Sequence, residues 1–137
     1  MPHILKPKQG KTLEQSFSGM KYANAKGDTQ CVELIFQAFP DAKGTTTGSW
    51  REGKKVTKGD LTIASGTAIA TFVDGAFSHL GSPNQHAAVY LGQDEHGIQV
   101  LDQWKGKASG VTQRTLYWKP IKAGKSNDGN AFSVIEW

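Results

Sequence analysis

Residues 86–92 (HAAVYLG) and 98–104 (IQVLDQW) are two short runs rich in β-branched and aromatic residues, a composition that favours β-strands. The connection between them, GQDEHG at 92–97, has glycine at both ends and the length of a hairpin loop. The two runs are therefore predicted to pair as an antiparallel hairpin. Three further strands are predicted at similar runs bounded by turn residues: residues 67–73, 111–118 and 131–137.

Upstream of these strands the sequence predicts helices. Four apolar residues recur at the spacing i, i+3, i+4 and i+7, which places them on one helix face: Val32, Ile35, Phe36 and Phe39. Pro40 is expected to end this helix, and Asp28 or Thr29 to cap its start. A weaker helix is predicted over residues 12–25. Helices followed by an antiparallel meander indicate the α+β class, with N-terminal helices packed on an antiparallel sheet of about five or six strands.

The chain has 137 residues and one cysteine. We expect residues 1–137 to form a single domain without an internal disulfide. The formal net charge is +4, but the basic residues are scattered, so a nucleic-acid partner is not expected. Residues 1–8 lack the apolar run of a secretory signal, and the uncharged stretch 61–73 is too short to cross a bilayer. These features predict a protein made in the cytoplasm without a signal peptide and without membrane insertion.

Cys31 is the candidate nucleophile. In the first turn of a helix, the unpaired backbone N–H groups and the positive end of the helix dipole favour an anion, and the thiolate is the reactive form of cysteine. The alternative is a small buried side chain that packs beside Val32. Nucleophilic catalysis by cysteine also requires a histidine to take the proton and a third polar group to orient the imidazole.

Two of the four histidines, His79 and His86, are candidates for the general base. His3 near the start of the chain and His96 in the predicted hairpin turn are expected to be exposed. His86 is favoured because it opens a predicted strand, whereas His79 lies in a loop rich in Ser, Gly and Pro.

The third member is expected on the strand that pairs with the strand of His86. Asp102 and Gln103 are the polar candidates there, on opposite faces of the strand. Asp102 is favoured because a carboxylate also stabilises an imidazolium, and Gln103 remains the alternative. A metal site built from the histidines with Asp94 or Asp102 would lack any recognisable ligand spacing, so no metal and no cofactor are expected.

Four stretches resemble the NlpC/P60 superfamily of papain-like cell-wall peptidases and amidases: QCVELI at 30–35, GTAIATF at 66–72, HAAVYLG at 86–92 and LDQWKG at 101–106. Together they are similar to a small, single-domain branch of that superfamily, akin to the amidase toxins of type VI secretion systems. The resemblance implies a papain-like architecture. It also implies a catalytic set of Cys31, His86 and Asp102.

Three further residues are expected at the substrate-binding side of this site. Tyr22 precedes Cys31 by nine residues, a spacing similar to that of a tyrosine found before the nucleophile in many NlpC/P60 enzymes. Gln103 and Trp104 follow Asp102 directly. The sequence departs from the main branch of the superfamily, which commonly has Asp-Cys-Ser-Gly where this chain has QCVE at 30–33, and often His as the third catalytic residue.

The resemblance implies a cysteine amidase or endopeptidase that cuts amide bonds in the peptide part of bacterial peptidoglycan, such as the D-glutamyl to diaminopimelate bond. It also implies an antibacterial effector secreted into the periplasm of a target cell and neutralised by a cognate immunity protein. Two alternatives remain open from the sequence. One is a related thiol hydrolase or acyltransferase acting on another acyl substrate, and the other is a non-catalytic module that binds the cell wall.

Overall fold

The centre of the fold is a sheet in which every recorded pairing between strands is antiparallel. The computed structural model describes residues 2–77, 81 and 83–137. Seven strands are found in this part of the chain: β1 (Arg51–Lys55), β2 (Ala68–Val73), β3 (Ala76–Phe77), β4 (Ala87–Gln93), β5 (Gly97–Asp102), β6 (Thr112–Tyr117) and β7 (Phe132–Glu136). Their order is β1-β7-β2-β4-β5-β6, with β3 paired to β2. The α+β class is confirmed, because helices precede a sheet of this kind.

The sheet is larger than predicted, and its order is not that of a simple meander. β1 and β3 were missed, since β1 consists of four charged residues and a glycine and β3 has only two residues. The exposed β1 forms an edge of the sheet by backbone pairing with β7. Only β4, β5 and β6 follow one another as a meander, because β7 returns to lie between β1 and β2.

Two α-helices precede the sheet, and both are shorter than the sequence suggested. Helix α1 is Leu13–Phe17 and helix α2 is Cys31–Ala38. The predicted helix over 12–25 stops early because Gly19 takes a positive φ of 83°, a conformation that ends helices. Four 3-10 helices complete the helical segments of the described residues: Pro40–Ala42, Thr47–Ser49, Lys125–Asn127 and Gly129–Ala131.

The N-terminal end of α2 differs from the prediction. Its N-cap residue is Gln30, which makes no capping hydrogen bond with its side chain, and not Asp28 or Thr29. The Asp28 carboxylate instead lies 3.8 Å from Lys105 Nζ, and the Thr29 hydroxyl donates to the Trp104 carbonyl. Cys31 is therefore the first residue of the helix, and within the described part of the chain no side chain caps the backbone N–H groups beside it.

The core divides between the two faces of the sheet because neighbouring residues of a strand point to opposite sides. Ala87 and Val89 of β4 belong to the same buried cluster as Leu34 and Ile35 of α2. The alternate β4 residues Ala88 and Tyr90 belong to a second buried cluster. Ala87 is the first residue of β4, and α2 packs against this strand. In the described part of the chain, no helix is long and apolar enough to span a membrane.

Candidate active site

His86 and Asp102 are joined by a buried hydrogen bond. His86 immediately precedes β4 and Asp102 is the last residue of β5. Because β4 and β5 are antiparallel neighbours, these two positions lie at the same end of the sheet. The His86 Nε2 atom is 2.7 Å from Asp102 Oδ2, with 4% of His86 and none of Asp102 exposed. The structure therefore brings together the histidine and the carboxylate that the sequence favoured.

The main chain of His86 is fixed by Thr71 of β2. The His86 backbone N–H donates to the Thr71 hydroxyl oxygen at 3.1 Å, and the Thr71 backbone N–H donates to the His86 carbonyl at 3.0 Å. Thr71 is fully buried. His86 is consequently held by two strands. Asp102 of β5 binds its ring, and Thr71 of β2 binds its backbone.

Cys31 approaches the same imidazole from α2. Its side chain is partly exposed and lies near enough to His86 to raise the pKa of the imidazole. Nε2 of His86 is occupied by Asp102, so Nδ1 is the ring nitrogen left for the sulfur. The cysteine, the imidazole and the carboxylate thus lie in series, with the imidazole between the other two.

The pKa of His86 is raised to about 9. Burial is the largest influence and by itself would lower this pKa, but the hydrogen bonds and negative charges of Asp102 and Cys31 outweigh it. For Asp102, burial would raise the pKa, yet the bond to His86 and the charges of His86 and Arg114 lower it. At neutral pH the site therefore holds an imidazolium beside an ionised carboxylate.

Two basic residues that the sequence analysis did not single out complete the surroundings of Asp102. Arg114 Nε donates to Asp102 Oδ2 at 2.6 Å, and Lys107 Nζ donates to the Asp102 carbonyl at 3.0 Å. Arg114 lies on β6, two residues beyond Thr112, which is the cross-strand partner of Asp102. A residue at that diagonal position can reach across to the neighbouring strand. The sequence could have indicated Arg114 only if the register of β5 and β6 had been known.

Gln103 has a different environment from Asp102. Its side-chain amide accepts from the Tyr22 backbone N–H at 3.1 Å and donates to the carbonyls of Tyr22 and Gln30, both at 2.8 Å. Gln103 is completely buried. It ties the segment before α2 to the end of β5, so it fixes the backbone that leads into Cys31. The Tyr22 side chain is half-buried, and this burial raises its pKa.

A cavity of about 540 Å³ opens over the cysteine and the histidine. Its lining includes Cys31, His86 and Trp104, but not Tyr22 or the buried Gln103. Trp104 is 40% exposed, and its ring lies under Lys107 Nζ at 4.3 Å and near the Arg114 guanidinium at 5.0 Å. A volume of this size suits a peptide-sized ligand.

Neither His3 nor His96 belongs to the described site. His79 lies outside the described residues. His3 stacks on Trp137 at 3.5 Å between ring centroids, and His96 is exposed beside Glu95. Within residues 2–77, 81 and 83–137, no group of three His, Cys, Asp or Glu side chains is placed to hold a metal ion.

The fold and this cavity define a class of α+β proteins in which a helix and two neighbouring strands bring a cysteine, a histidine and an aspartate together. The family model described as "Domesticated amidase effector 2" (Dae2) matches residues 7–135. The chain therefore belongs to the Dae2 family.

Individual relatives agree with this family. The chain is 37% identical over 134 residues to a type VI secretion amidase effector 2 protein of Salmonella typhi, a match covering 84% of this chain and 97% of the relative. It is 34% identical over 108 residues to domesticated amidase effector 2 of Ixodes scapularis, covering 78% of this chain and 70% of the relative. Among solved structures, type 6 secretion amidase effector 2 (Tae2) is similar with a TM-score of 0.73 and 29% identity, over 92% of each chain.

Proposed function

We propose that this chain is a cysteine amidase that hydrolyses amide bonds in the peptide part of bacterial peptidoglycan. The observation that carries the proposal is the buried hydrogen bond between His86 and Asp102, with Cys31 near the same imidazole and in the lining of the same open cavity. Membership of a family described as amidase effectors supports the amide as the bond that is cut. In this proposal the domain, residues 1–137, has the papain-like architecture of the NlpC/P60 superfamily.

The first half of the reaction transfers the acyl group to Cys31. The thiolate attacks the amide carbonyl carbon, a C–S bond forms, and the carbonyl oxygen becomes an oxyanion. The uncapped backbone N–H groups at the start of α2 are the donors assigned to that oxyanion. The C–N bond then breaks, and His86 gives its proton to the departing amine.

Water completes the cycle. The now neutral His86 removes a proton from a water molecule, and the water oxygen attacks the thioester carbonyl. The C–S bond breaks, the carboxylic acid product leaves, and the thiolate and imidazolium are restored. The Asp102 carboxylate accepts a hydrogen bond from the Nε2–H group of His86 throughout and keeps Nδ1 directed toward the sulfur.

The remaining site residues divide between positioning and contact with the substrate. Gln103 is assigned a positioning role, because its amide is occupied by backbone groups and its side chain is not exposed. Tyr22 is assigned the same positioning role, because its backbone is hydrogen bonded to Gln103. Trp104 is the aromatic side chain that a bound peptide would contact in the cavity.

The relatives' names support the biological setting. A type VI secretion amidase effector from Salmonella typhi is a 37% identical relative. We extend that role to this chain, as an antibacterial effector delivered into the periplasm of a target cell. A cognate immunity protein in the producing cell is part of the same proposal.

Digestion of purified peptidoglycan tests the enzymatic proposal. The wild-type chain should release new free amines, detected by mass spectrometry of the muropeptides, whereas Cys31→Ala and His86→Ala should release none above background. His96→Ala is the matched control, since it removes an exposed histidine outside the site and should retain full activity. Identical muropeptide profiles with the wild-type chain and with Cys31→Ala would refute the proposal.

A further inference from the structure

The cavity over Cys31 is lined by cationic side chains. Besides His86, three basic residues line it: Lys105, Arg114 and Lys122. No aspartate or glutamate belongs to the described lining. The chain as a whole has 12 acidic residues and 16 basic ones. Basic side chains are therefore in greater excess in the described cavity lining than in the chain as a whole.

Arg114 is already engaged with the protein. Its Nε atom donates to Asp102, Nη1 donates to Asn127 Oδ1 at 3.3 Å, and Nη2 donates to the Ser126 carbonyl at 3.1 Å. Because all three nitrogens of this guanidinium are hydrogen bonded within the protein, we assign Arg114 to the structure of the site and not to ligand binding. The same holds for Lys107, whose ammonium is directed at Asp102 and whose side chain is 9% exposed.

Lys105 and Lys122 have ammonium groups available to a ligand. The Lys105 side chain is 64% exposed, and its one ion pair, with Asp28 Oδ2, is long at 3.8 Å. Exposed pairs of this kind contribute little and are readily exchanged. Lys122 is exposed and has no hydrogen bond or ion pair with the residues that the structure describes.

Lys105 also links the cavity to a second one. A neighbouring cavity of about 390 Å³ is lined by Lys105 together with Lys21 and Lys107, and Asp28 is the acidic residue of its described lining. The basic surface therefore continues from the catalytic cavity past Trp104. An extended peptide bearing negative charge would meet complementary charge along this path.

We infer that Lys105 and Lys122 bind a free carboxylate of the substrate, so that the site selects amide bonds in peptides that carry a carboxylate near the bond to be cut. The inference rests on the proposed function and deepens it. D-Glutamyl and diaminopimelyl residues each retain a free carboxylate beside their amide linkages in the peptide part of peptidoglycan. Conversion of that carboxylate to a carboxamide removes the charge while keeping the shape nearly unchanged.

The test compares two substrates and three variants of the full chain. The substrates are cross-linked muropeptides with free carboxylates and the same muropeptides with the carboxylates converted to primary amides. The variants Lys105→Met and Lys122→Met remove a charge but keep an apolar stem. Lys119→Met makes the same change in net charge at an exposed lysine outside the cavity lining.

We expect the wild-type chain to have a higher kcat/KM for the carboxylate form, mainly through KM. Each cavity variant should lower kcat/KM for that form by about 3- to 5-fold, the effect of losing one partly exposed ion pair, and leave the amidated form unchanged. Lys119→Met should retain the wild-type preference.

Three other outcomes would count against the inference. Equal kcat/KM values of the wild-type chain for both substrates would overturn it while leaving the amidase proposal intact. A preference that survives in both cavity variants would overturn the assignment to Lys105 and Lys122. Failure of the wild-type chain to cleave either substrate, with Cys31→Ala as the blank, would overturn both the inference and the proposed function.

Discussion

The Nε2 atom of His86 lies 2.7 Å from Asp102 Oδ2 in a place where neither side chain is significantly exposed. This bond leaves Nδ1 of the ring for Cys31 and gives the imidazole a fixed direction. It also places a carboxylate where Arg114 and Lys107 meet it from β6 and from the loop after β5.

Asp102→Asn should inactivate the enzyme and weaken the fold. The amide cannot stabilise the imidazolium, so we expect kcat to fall by about 10²- to 10⁴-fold. It also leaves Arg114, Lys107 and His86 without their counter-charge in a buried place, which should lower the free energy of unfolding by about 3 kcal/mol. Urea denaturation and peptidoglycan hydrolysis measure the two effects. Cys31→Ser, which removes the nucleophile but no buried charge, should lose activity with stability near that of the wild type.

The raised pKa of His86 makes stability depend on pH. The pKa rises from 6.5 in the unfolded chain to about 9 in the folded protein, so folding strengthens proton binding. The resulting stabilisation is fully present below pH 6.5 and is lost as the pH rises through about 9. Its size is on the order of 3 kcal/mol.

Urea unfolding at pH 6 and at pH 9.5 measures this effect, and His86→Gln is the reference because glutamine does not titrate. The wild-type chain should lose more stability than His86→Gln between the two pH values. The same proton is needed by the leaving amine, so kcat/KM should also fall as the pH rises through about 9. An equal loss of stability in both proteins would contradict the assignment.

Thr71→Val should disturb catalysis through the backbone of His86. Valine has the shape of threonine but cannot accept the His86 N–H, which would remain buried without a partner. We expect the free energy of unfolding to fall by about 1 to 3 kcal/mol. Loss of the fixed ring position should also lower kcat by about 10-fold with little change in KM. Thr71→Ser keeps the hydroxyl and should restore kcat, whereas a purely structural role would leave kcat of the folded Thr71→Val protein unchanged.

Gln103→Leu should loosen the segment that leads into Cys31. The substitution removes three hydrogen bonds from a buried side chain to the backbone of Tyr22 and Gln30. Partly buried backbone groups of Tyr22 and Gln30 left without partners should lower the free energy of unfolding by about 1 to 3 kcal/mol. Amide hydrogen exchange should become faster at Tyr22, whose N–H loses its acceptor. Unchanged exchange at Tyr22 would show that Gln103 does not hold this segment.

The sequence was sufficient for the parts of the molecule that rest on periodic patterns. The apolar spacing in Cys31–Ala38 and the hairpin of β4 and β5 predict elements that the structure contains. The proximity of His86 and Asp102 followed from that hairpin, because the start of one antiparallel strand faces the end of the next.

The elements that were missed depend on tertiary structure. β1 has no apolar alternation and forms through backbone pairing with β7, which is distant in sequence. Arg114 reaches Asp102 only through the register of β5 and β6. Thr71 looks like an ordinary strand residue until β2 is placed beside the residue that begins β4.

Alkylation of Cys31 by iodoacetamide at pH 6 tests most directly whether this cysteine is an activated nucleophile. The chain has one cysteine, so the mass change of the intact protein reports Cys31 alone. We expect rapid alkylation at pH 6 in the wild-type chain and in the control His96→Ala, and slow alkylation in His86→Ala, because the imidazolium stabilises the thiolate. Slow alkylation of the wild-type chain at pH 6, with a rate equal to that of His86→Ala, would contradict the account.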